Sequence, residues 1–190
     1  MSTGRSNKLT GQIGEYLVCA ELGRRGFIAT PFSGNVPAFD VVAIDEKCRT
    51  VPIQVKASQG DNWPSDARNW MDFEPMDESR VQKYISPKKI LNPDLIYVCV
   101  SIAKPEKKEK DRFFILTKSN LQTACIADYS KFMNKHNWLR PHNPESYDNR
   151  YHLSSIEEYE NNWELITNRL NTSNPDQSLI ADSETLCELN

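Results

Sequence analysis

The sequence predicts a mixed α/β fold, with a central sheet of about five strands and helices packed on both faces. Three stretches support this prediction: residues 9–25 have the apolar spacing of a helix, residues 40–57 have the alternation of a β-hairpin, and residues 94–102 form an apolar run of strand length. The chain has 190 residues, of which 38% are hydrophobic and 26% charged. This length and composition suit one soluble domain with an appendage.

The predicted hairpin brings three polar side chains to one place. Asp40 precedes an apolar run that ends at a turn of charged residues, and the second strand alternates apolar residues with Gln54 and Lys56. Because side chains two apart in a strand share a face, Gln54 and Lys56 project together while Ile53 and Val55 enter the core. A carboxylate, an amide and an ammonium group therefore lie side by side.

The preceding helix is predicted to be buried, since it is apolar nearly all round. Thr10 is its predicted N-cap, and residues 1–8 are predicted to form a loose arm. Glu15 shares one side with apolar residues, and Gly11 and Gly14 would let another backbone approach closely. A carboxylate in such a setting needs a partner, and a cation is the partner that best offsets the free-energy cost of burying its charge.

The motifs GQIGEYLVCAELGRRGF, GNVPAFDVVAID and PIQVKAS, taken in this order, resemble the PD-(D/E)XK nuclease superfamily. This superfamily includes type II restriction endonucleases and archaeal Holliday-junction resolvases. The resemblance covers residues 9–58 most closely and extends more loosely to about residue 135. It implies a restriction-endonuclease-like αβββαβ core at residues 9–135.

The resemblance also implies roles for individual residues. Asp40 would bind a divalent metal, Mg²⁺ or Mn²⁺, together with the position of Gln54, and Lys56 would assist the attacking water. Glu15 would be the helix acid of the catalytic set. Mg²⁺ prefers oxygen ligands and keeps several waters, so Asp40, a carbonyl oxygen of Gln54 or Val55 and a water-bridged Glu15 would suffice.

Two positions depart from the family pattern. The second acidic position is Gln54, a Q-x-K variant similar to that of some intron-encoded homing endonucleases. The residue before Asp40 is Phe39, and the nearest proline is Pro37. The first departure favours an alternative in which the chain binds nucleic acid without cleaving it.

The net charge of −3 is unevenly distributed along the chain. Residues 1–118 contain 18 basic and 15 acidic residues, whereas residues 119–190 contain 5 and 11. The basic clusters would line a phosphate-facing rim or simply solvate the surface. The residues proposed from them to bind nucleic acid are Arg24, Arg25, Lys88 and Lys89.

The segment after the hairpin is polar, rich in turn formers and predicted to be a long functional loop. Its tryptophans, Trp63 and Trp70, have two interpretations. In the favoured one they form a small cluster that anchors the loop. In the other they stack on a base and belong to the nucleic-acid-binding residues.

The remaining elements are predicted from shorter patterns. Residues 77–91 begin like a helix that breaks near Pro87, and residues 117–136 form a helix. Residues 138–150 are irregular, and Ser155 is predicted to cap a further helix. Residues 136–170 would form a helical appendage packed on the core, and residues 171–190 a flexible tail.

Cysteine usage and hydropathy predict a cytoplasmic location. The five cysteines are odd in number and widely spaced, which favours reduced thiols. The longest apolar run, residues 95–100, is too short to span a membrane, and the first residues lack the apolar region of a signal peptide. The three histidines lack the spacing of a zinc site.

The predicted function is metal-dependent hydrolysis of DNA phosphodiester bonds. The alternative is the non-catalytic nucleic-acid-binding module. A hydrolase of small phosphorylated compounds is a third class, but the sequence contains no phosphate-binding glycine-rich loop. Because cutting both strands of a duplex usually takes two active sites, a homodimer or higher oligomer is expected.

Overall fold

The computed structural model describes residues 4–32, 38–104, 106 and 109–172, with side chains from residue 7 onward. Three α-helices and nine strands form within these residues. The helices are α1 (Gly4–Arg24), α2 (Lys118–Asn134) and α3 (Glu164–Thr172). The strands are β1 (Ile28–Pro31), β2 (Val41–Ile44), β3 (Thr50–Ser58), β4 (Asn62–Asp66), β5 (Met71–Phe73), β6 (Tyr84–Pro87), β7 (Ile96–Ser101), β8 (Arg112–Thr117) and β9 (Asp148–His152).

Five strands form the central sheet, in the order β1-β2-β3-β7-β8. The strands β1, β2 and β3 pair antiparallel in sequence order, β7 pairs parallel to β3, and β8 pairs antiparallel to β7. Helices α1 and α3 pack on one face, and α2 packs on the other. The predicted fold class, a mixed sheet of five strands between helices, is confirmed.

The alternation of β3 divides its side chains between the two faces as the hairpin pattern predicts. Val51, Ile53 and Val55 are buried in the core beneath α1 and α3. Gln54 and Lys56 project from the opposite face, in register with Tyr97 and Cys99 of β7. The hairpin thus fixes which polar side chains reach the surface.

Helix α1 is one-sided, contrary to the predicted burial all round. Val18 and Leu22 are fully buried against the sheet, whereas Leu9 and Tyr16 are 57% and 56% exposed. A Cβ added at Gly14 would overlap Ala57 of β3, so the helix approaches the sheet at this glycine. Only one side of α1 therefore meets the sheet. The helix also begins at Gly4, so residues 4–8 are helical and not the predicted loose arm.

The connection between the parallel strands β3 and β7 contains a short 3₁₀ helix (Ala67–Asn69) but no α-helix, so the prediction of a helix at residues 77–91 is wrong. Asp77 accepts a hydrogen bond from the backbone N–H of Ser79 at 2.9 Å, which is the geometry of an Asx turn. Arg80 follows in the left-handed region, with φ 56°. These features stop a helix, and the chain continues as β6, which pairs with β5.

Strands β4 and β9 form a second ribbon, termed here the β4–β9 ribbon. Its inner side is buried: Trp63 and Tyr151 are 1% and 2% exposed, and their rings stack at 5.4 Å. The sequence predicts a long polar loop around Trp63 and an irregular segment at residues 138–150. Both predictions miss the pairing of these two distant strands.

Helix α3 begins later than predicted. Ser155, the predicted cap, donates its hydroxyl hydrogen bond to Asp128 at 2.9 Å and lies in a 3₁₀ turn. Asn161 then adopts the left-handed region, with φ 56°, so the helix starts only at Glu164. Its Ile166 and Leu170 are buried in the same core as β3.

Two further features concern the chain as a whole. The four cysteines among the described residues, Cys19, Cys48, Cys99 and Cys125, form no disulfide. None of the helices within these residues is long and apolar enough to cross a bilayer. Pro37 and the predicted tail beyond residue 172 lie outside the described residues.

Candidate active site

The backbone of Asp40 is fixed between two strands of the sheet. Its N–H donates to the carbonyl of Ile53 at 2.9 Å, and its carbonyl accepts from the N–H of Phe32 at 2.9 Å. These two bonds place Asp40 directly before β2, where the hairpin opens. The position of this carboxylate therefore follows from strand pairing and not from a flexible loop.

The carboxylate of Asp40 is bound through one oxygen. Its Oδ2 accepts a hydrogen bond from the backbone N–H of Val55 at 2.8 Å and another from the side-chain amide of Gln54. Both donors come from β3, so the hairpin holds its own acid against its second strand. Asp40 and Gln54 are each half-buried.

Lys56 is two residues beyond Gln54 on the same face of β3 and is exposed. Among the residues that the structure describes, no carboxylate lies within ion-pair distance of its ammonium group. Burial, the Cys99 thiol and the Asp40 carboxylate raise the pKa of neighbouring Tyr97 to about 12. Tyr97 is therefore neutral and does not offset the charge of the Lys56 ammonium.

Glu15 reaches the same region from α1. It follows Gly14, whose contact with Ala57 brings this turn of the helix against the end of β3. Burial raises the pKa of Glu15, and the negative charge of Asp40 raises it further. No cation among the described side chains forms an ion pair with Glu15, so two carboxylates repel one another across this space.

These residues line one open cleft of about 620 Å³. The sequence-predicted members are Glu15, Asp40, Gln54, Val55 and Lys56, and the structure brings all of them together. The other lining residues are Asn7, Thr10, Gly11, Ala57, Ser58, Gln59, Pro64 and Arg150. The cleft lies at the end of β3 and is bounded on one side by α1 and on the other by the β4–β9 ribbon.

The donor set of the cleft suits a hard divalent cation. Asp40 and Glu15 supply carboxylates, and Gln54 and Val55 each have a carbonyl oxygen. Nowhere in the described part of the chain do three His, Cys, Asp or Glu residues form a metal-binding group. A divalent ion held by these residues would have the neutral Gln54 in place of a third acid, and substrate and water oxygens would have to complete its ligands.

The residues predicted to bind nucleic acid do not line this cleft. Arg24 and Arg25 both pair with Glu21 at the end of α1, and the Arg25 guanidinium lies 4.3 Å from the Trp163 ring centroid. Lys88 donates to the carbonyl of Arg68 at 2.9 Å. The assignment of Lys88 and Lys89 as phosphate contacts stays a prediction.

The two loop tryptophans are core residues, which corrects their assignment as stacking residues. The Trp63 indole N–H donates to the carbonyl of Val100 at 3.1 Å, and that of Trp70 donates to the Ser65 hydroxyl at 2.7 Å. Trp63 is 1% exposed and Trp70 is 7% exposed. Neither ring offers a face to a base, and the anchoring interpretation agrees with their burial.

Arg150 is the charged residue of the cleft that sequence reasoning missed. It lies on β9, opposite Pro64 in the register of the ribbon. Side chains of residues 148–152 alternate between exposed and buried, with Asn149 and Tyr151 buried, but Tyr151 is the only hydrophobic residue among them, so the sequence shows no alternation in hydropathy. A strand that short, with a partner so far away in sequence, is hard to detect.

Two solved structures of nucleases are similar to this chain. One is a bacterial homing endonuclease, I-Ssp6803I, with a TM-score of 0.47 and 15% identity, covering 86% of this chain and 95% of that one. The other is Hjc, a Holliday junction resolvase from Archaeoglobus fulgidus, with a TM-score of 0.37 and 13% identity, covering 78% and 88%. No protein-family model matches the chain, and no curated protein matches it.

Proposed function

We propose that this protein is a metal-dependent endonuclease that hydrolyses DNA phosphodiester bonds. The observation that supports this most strongly is the cleft itself. It combines two carboxylates that lack a cation, Asp40 and Glu15, with an unpaired ammonium, Lys56. Metal-dependent phosphodiester hydrolysis uses such groups, namely ligands for a divalent ion and a positive charge close to the attacked phosphate.

Asp40, Glu15, Gln54 and the Val55 carbonyl would bind the metal, Mg²⁺ or Mn²⁺. When bound, such an ion polarises a phosphoryl oxygen and lowers the pKa of a coordinated water. The repulsion between Asp40 and Glu15, which contributes to the raised pKa of Glu15, is relieved by any cation placed between them. These four residues offer oxygen atoms as ligands, which Mg²⁺ and Mn²⁺ prefer.

Gln54 has to change its role for this to happen. Its amide nitrogen donates to Asp40, so the amide oxygen points elsewhere. Rotating the amide by half a turn exchanges its donor and acceptor ends with little change in shape. Gln54 would then supply a neutral oxygen ligand, and Asp40 Oδ2 would keep only its hydrogen bond from the Val55 N–H, which holds the carboxylate in place.

Lys56 would act on the reacting groups and not on the metal. Its exposed ammonium can donate hydrogen bonds to the attacking water and to a non-bridging phosphate oxygen. Since no described carboxylate pairs with it, none of its charge is neutralised before substrate arrives. The position of Lys56 is set by strand β3, on the same face as Gln54.

A second function, nucleic-acid binding without cleavage, is favoured by the hydrogen bond between Gln54 and Asp40. In that case the amide permanently replaces the second acid and satisfies Asp40 without a metal. Homodimer or higher assembly, expected from cutting both strands, stays a prediction for either function. The two functions differ in one measurable outcome, which is metal-dependent cleavage.

The test is a cleavage assay with Lys56→Ala on supercoiled, linear, four-way-junction and single-stranded DNA, each with Mg²⁺, Mn²⁺ or EDTA. We expect the parent to cut at least one substrate with metal only. Lys56→Ala should lower the rate by about 10²–10³-fold while the affinity for DNA changes little. Lys131→Ala on the exposed side of α2 is the matched control and should cut like the parent.

Two results would overturn the proposal. Cleavage by Lys56→Ala within a few-fold of the parent would remove Lys56 from the reaction. DNA binding by the parent with no cleavage of any substrate, in either metal, would leave the non-catalytic function as the better account.

A further inference from the structure

Arg150 differs from most arginines of this chain in what anchors it. Nine arginine side chains are described, and seven of them have a carboxylate within 4.0 Å. The two without one are Arg140 and Arg150. Arg150 is fixed by a neutral group instead, since its Nη1 donates to the amide oxygen of Asn62 at 2.7 Å.

An amide anchor fixes the guanidinium without neutralising it. Asn62 lies on β4 and Arg150 on the adjacent β9, so the contact joins the two strands of the β4–β9 ribbon. The ribbon is rigidly attached, because its inner residues Trp63 and Tyr151 are buried in the core. Arg150 is exposed on the outer side, and its remaining donors form a planar fork of the kind that matches a phosphate.

Arg150 lies between two concave surfaces. On one side it lines the active-site cleft, in which Lys56 is the other described basic residue. On the other side it lines a second cavity of about 260 Å³, together with Arg140 and His152. The Arg140 guanidinium lies 5.2 Å from the Phe132 ring centroid and also interacts with the Tyr129 side chain, while its Nη1 is buried without a hydrogen-bond partner.

Two acidic residues also line the second cavity, and the carboxylate of one of them already accepts hydrogen bonds within the protein. Asp128 accepts hydrogen bonds from the His152 backbone N–H and the Ser155 hydroxyl, each at 2.9 Å, and lies 3.5 Å from the His152 ring. Asp148 lies opposite Asp66 at the end of the ribbon, where the acids oppose an anionic ligand. The second cavity is therefore mixed in charge, with Arg150 and Arg140 as its basic guanidinium groups and Asp128 and Asp148 as its acids.

We propose that Arg150 and Arg140 form a phosphate-binding track, which extends the active-site cleft across the β4–β9 ribbon. The ligands are backbone phosphates of the DNA strand that carries the scissile phosphate. Arg150 binds the phosphate nearer to Lys56, Arg140 binds one farther along the strand, and Asn62 positions Arg150. This proposal rests on the proposed function, because it requires DNA to enter the cleft.

The test measures DNA affinity with the full-length protein in EDTA, so that cleavage cannot interfere. The probes are fluorescent duplex, four-way-junction and single-stranded DNA, titrated at salt concentrations from about 50 to 200 mM. The variants are Arg150→Gln, Arg140→Gln and the double variant. Arg68→Gln is the matched control: it also removes one positive charge near the ribbon, but Arg68 pairs with Asp66 at 2.6 Å and lines neither concavity.

Each track variant should weaken duplex binding about tenfold and lower the salt slope by about 0.9, the value for one lost phosphate contact. The double variant should lower the slope by about twice as much, and Arg68→Gln should leave it unchanged. Arg150→Lys should retain the slope but lose affinity, because it keeps the charge and lacks the fork. Asn62→Ala should weaken binding less than Arg150→Gln.

The outcomes separate the track from the function on which it rests. If the parent binds DNA but both arginine variants behave like Arg68→Gln, the track is wrong and the proposed function stands. If the parent binds none of the probes, the track is refuted, and the cleavage assay with metal decides the proposed function separately. If circular dichroism shows that Arg140→Gln is unfolded, Arg140→Lys is measured in its place. An unchanged salt slope in Arg150→Gln is sufficient to refute the track.

Discussion

Replacing Gly14 by alanine tests the contact that places Glu15 in the cleft. A Cβ at this position would overlap the Ala57 side chain and would lie 3.5 Å from Val55 Cγ1 and 3.7 Å from the Ala57 Cα. Ala57 has no flexible end that could move aside, so α1 or β3 must shift. Overpacking of this kind costs about 1–3 kcal/mol.

The same substitution also favours the helix, by about 1 kcal/mol. Gly11 provides the matched control, because it lies in the same helix and a Cβ there meets nothing within 4 Å. The helix-propensity gain is common to Gly11→Ala and Gly14→Ala, so their difference measures the steric term alone. We expect Gly11→Ala to stabilise the protein and Gly14→Ala to be less stable than Gly11→Ala by about 1–3 kcal/mol.

Urea unfolding followed by circular dichroism measures these differences. The variant Ala57→Gly removes the methyl group that Gly14→Ala would strike. In that background, Gly14→Ala should therefore become neutral or stabilising, as a double-mutant cycle would show. Equal stability of Gly11→Ala and Gly14→Ala, or no coupling with Ala57, would refute the close approach of α1 to β3.

Three further predictions concern metal binding by the variants of the site, the effect of DNA on metal binding, and the buried Tyr97 beneath the site. Gln54→Glu restores a second acid, so calorimetric titration should show tighter Mn²⁺ binding than in the parent. Asp40→Asn should abolish Mn²⁺ binding. Equal Mn²⁺ binding by the parent and both variants would place the metal elsewhere. The parent should bind Mn²⁺ better when uncleavable DNA supplies phosphate oxygens. Burial raises the pKa of Tyr97 to about 12 from an ordinary 10.0, so the folded state keeps the neutral phenol. Its contribution to stability is complete below about pH 10 and is lost as the pH rises towards 12, because only the unfolded chain ionises in that interval. In Tyr97→Phe, the urea midpoint should fall less between pH 9 and pH 12 than it does in the parent. An equal fall in both proteins would contradict the raised pKa of Tyr97.

The hairpin and its polar side chains were predictable because their signals are local. Asp40, Gln54 and Lys56 lie within 17 residues of one another, and the alternation around them fixes their faces without reference to the rest of the chain. Glu15 was predicted from a helix whose apolar residues surround it. What the sequence did not specify was the side of α1 that packs, which is decided by the fit of Gly14 against Ala57.

The β4–β9 ribbon was not predictable in the same way. Its strands contain polar residues and Pro64, so each one alone resembles a loop. Their stability comes from pairing across 88 residues of sequence and from burying Trp63 against Tyr151. Neither the pairing nor the resulting position of Arg150 in the cleft has a local signal that a single sequence reveals.

The long separation between β4 and β9 has a consequence for synthesis of the protein. The hairpin of β2 and β3 can form as soon as residues 41–58 leave the ribosome, but β4 then has no partner until residues 148–152 follow. During that interval Trp63 lacks its cover and an unpaired strand edge is available to other chains. Chains terminated before residue 148 should therefore be prone to aggregate even though the hairpin carrying Asp40 and Lys56 is complete.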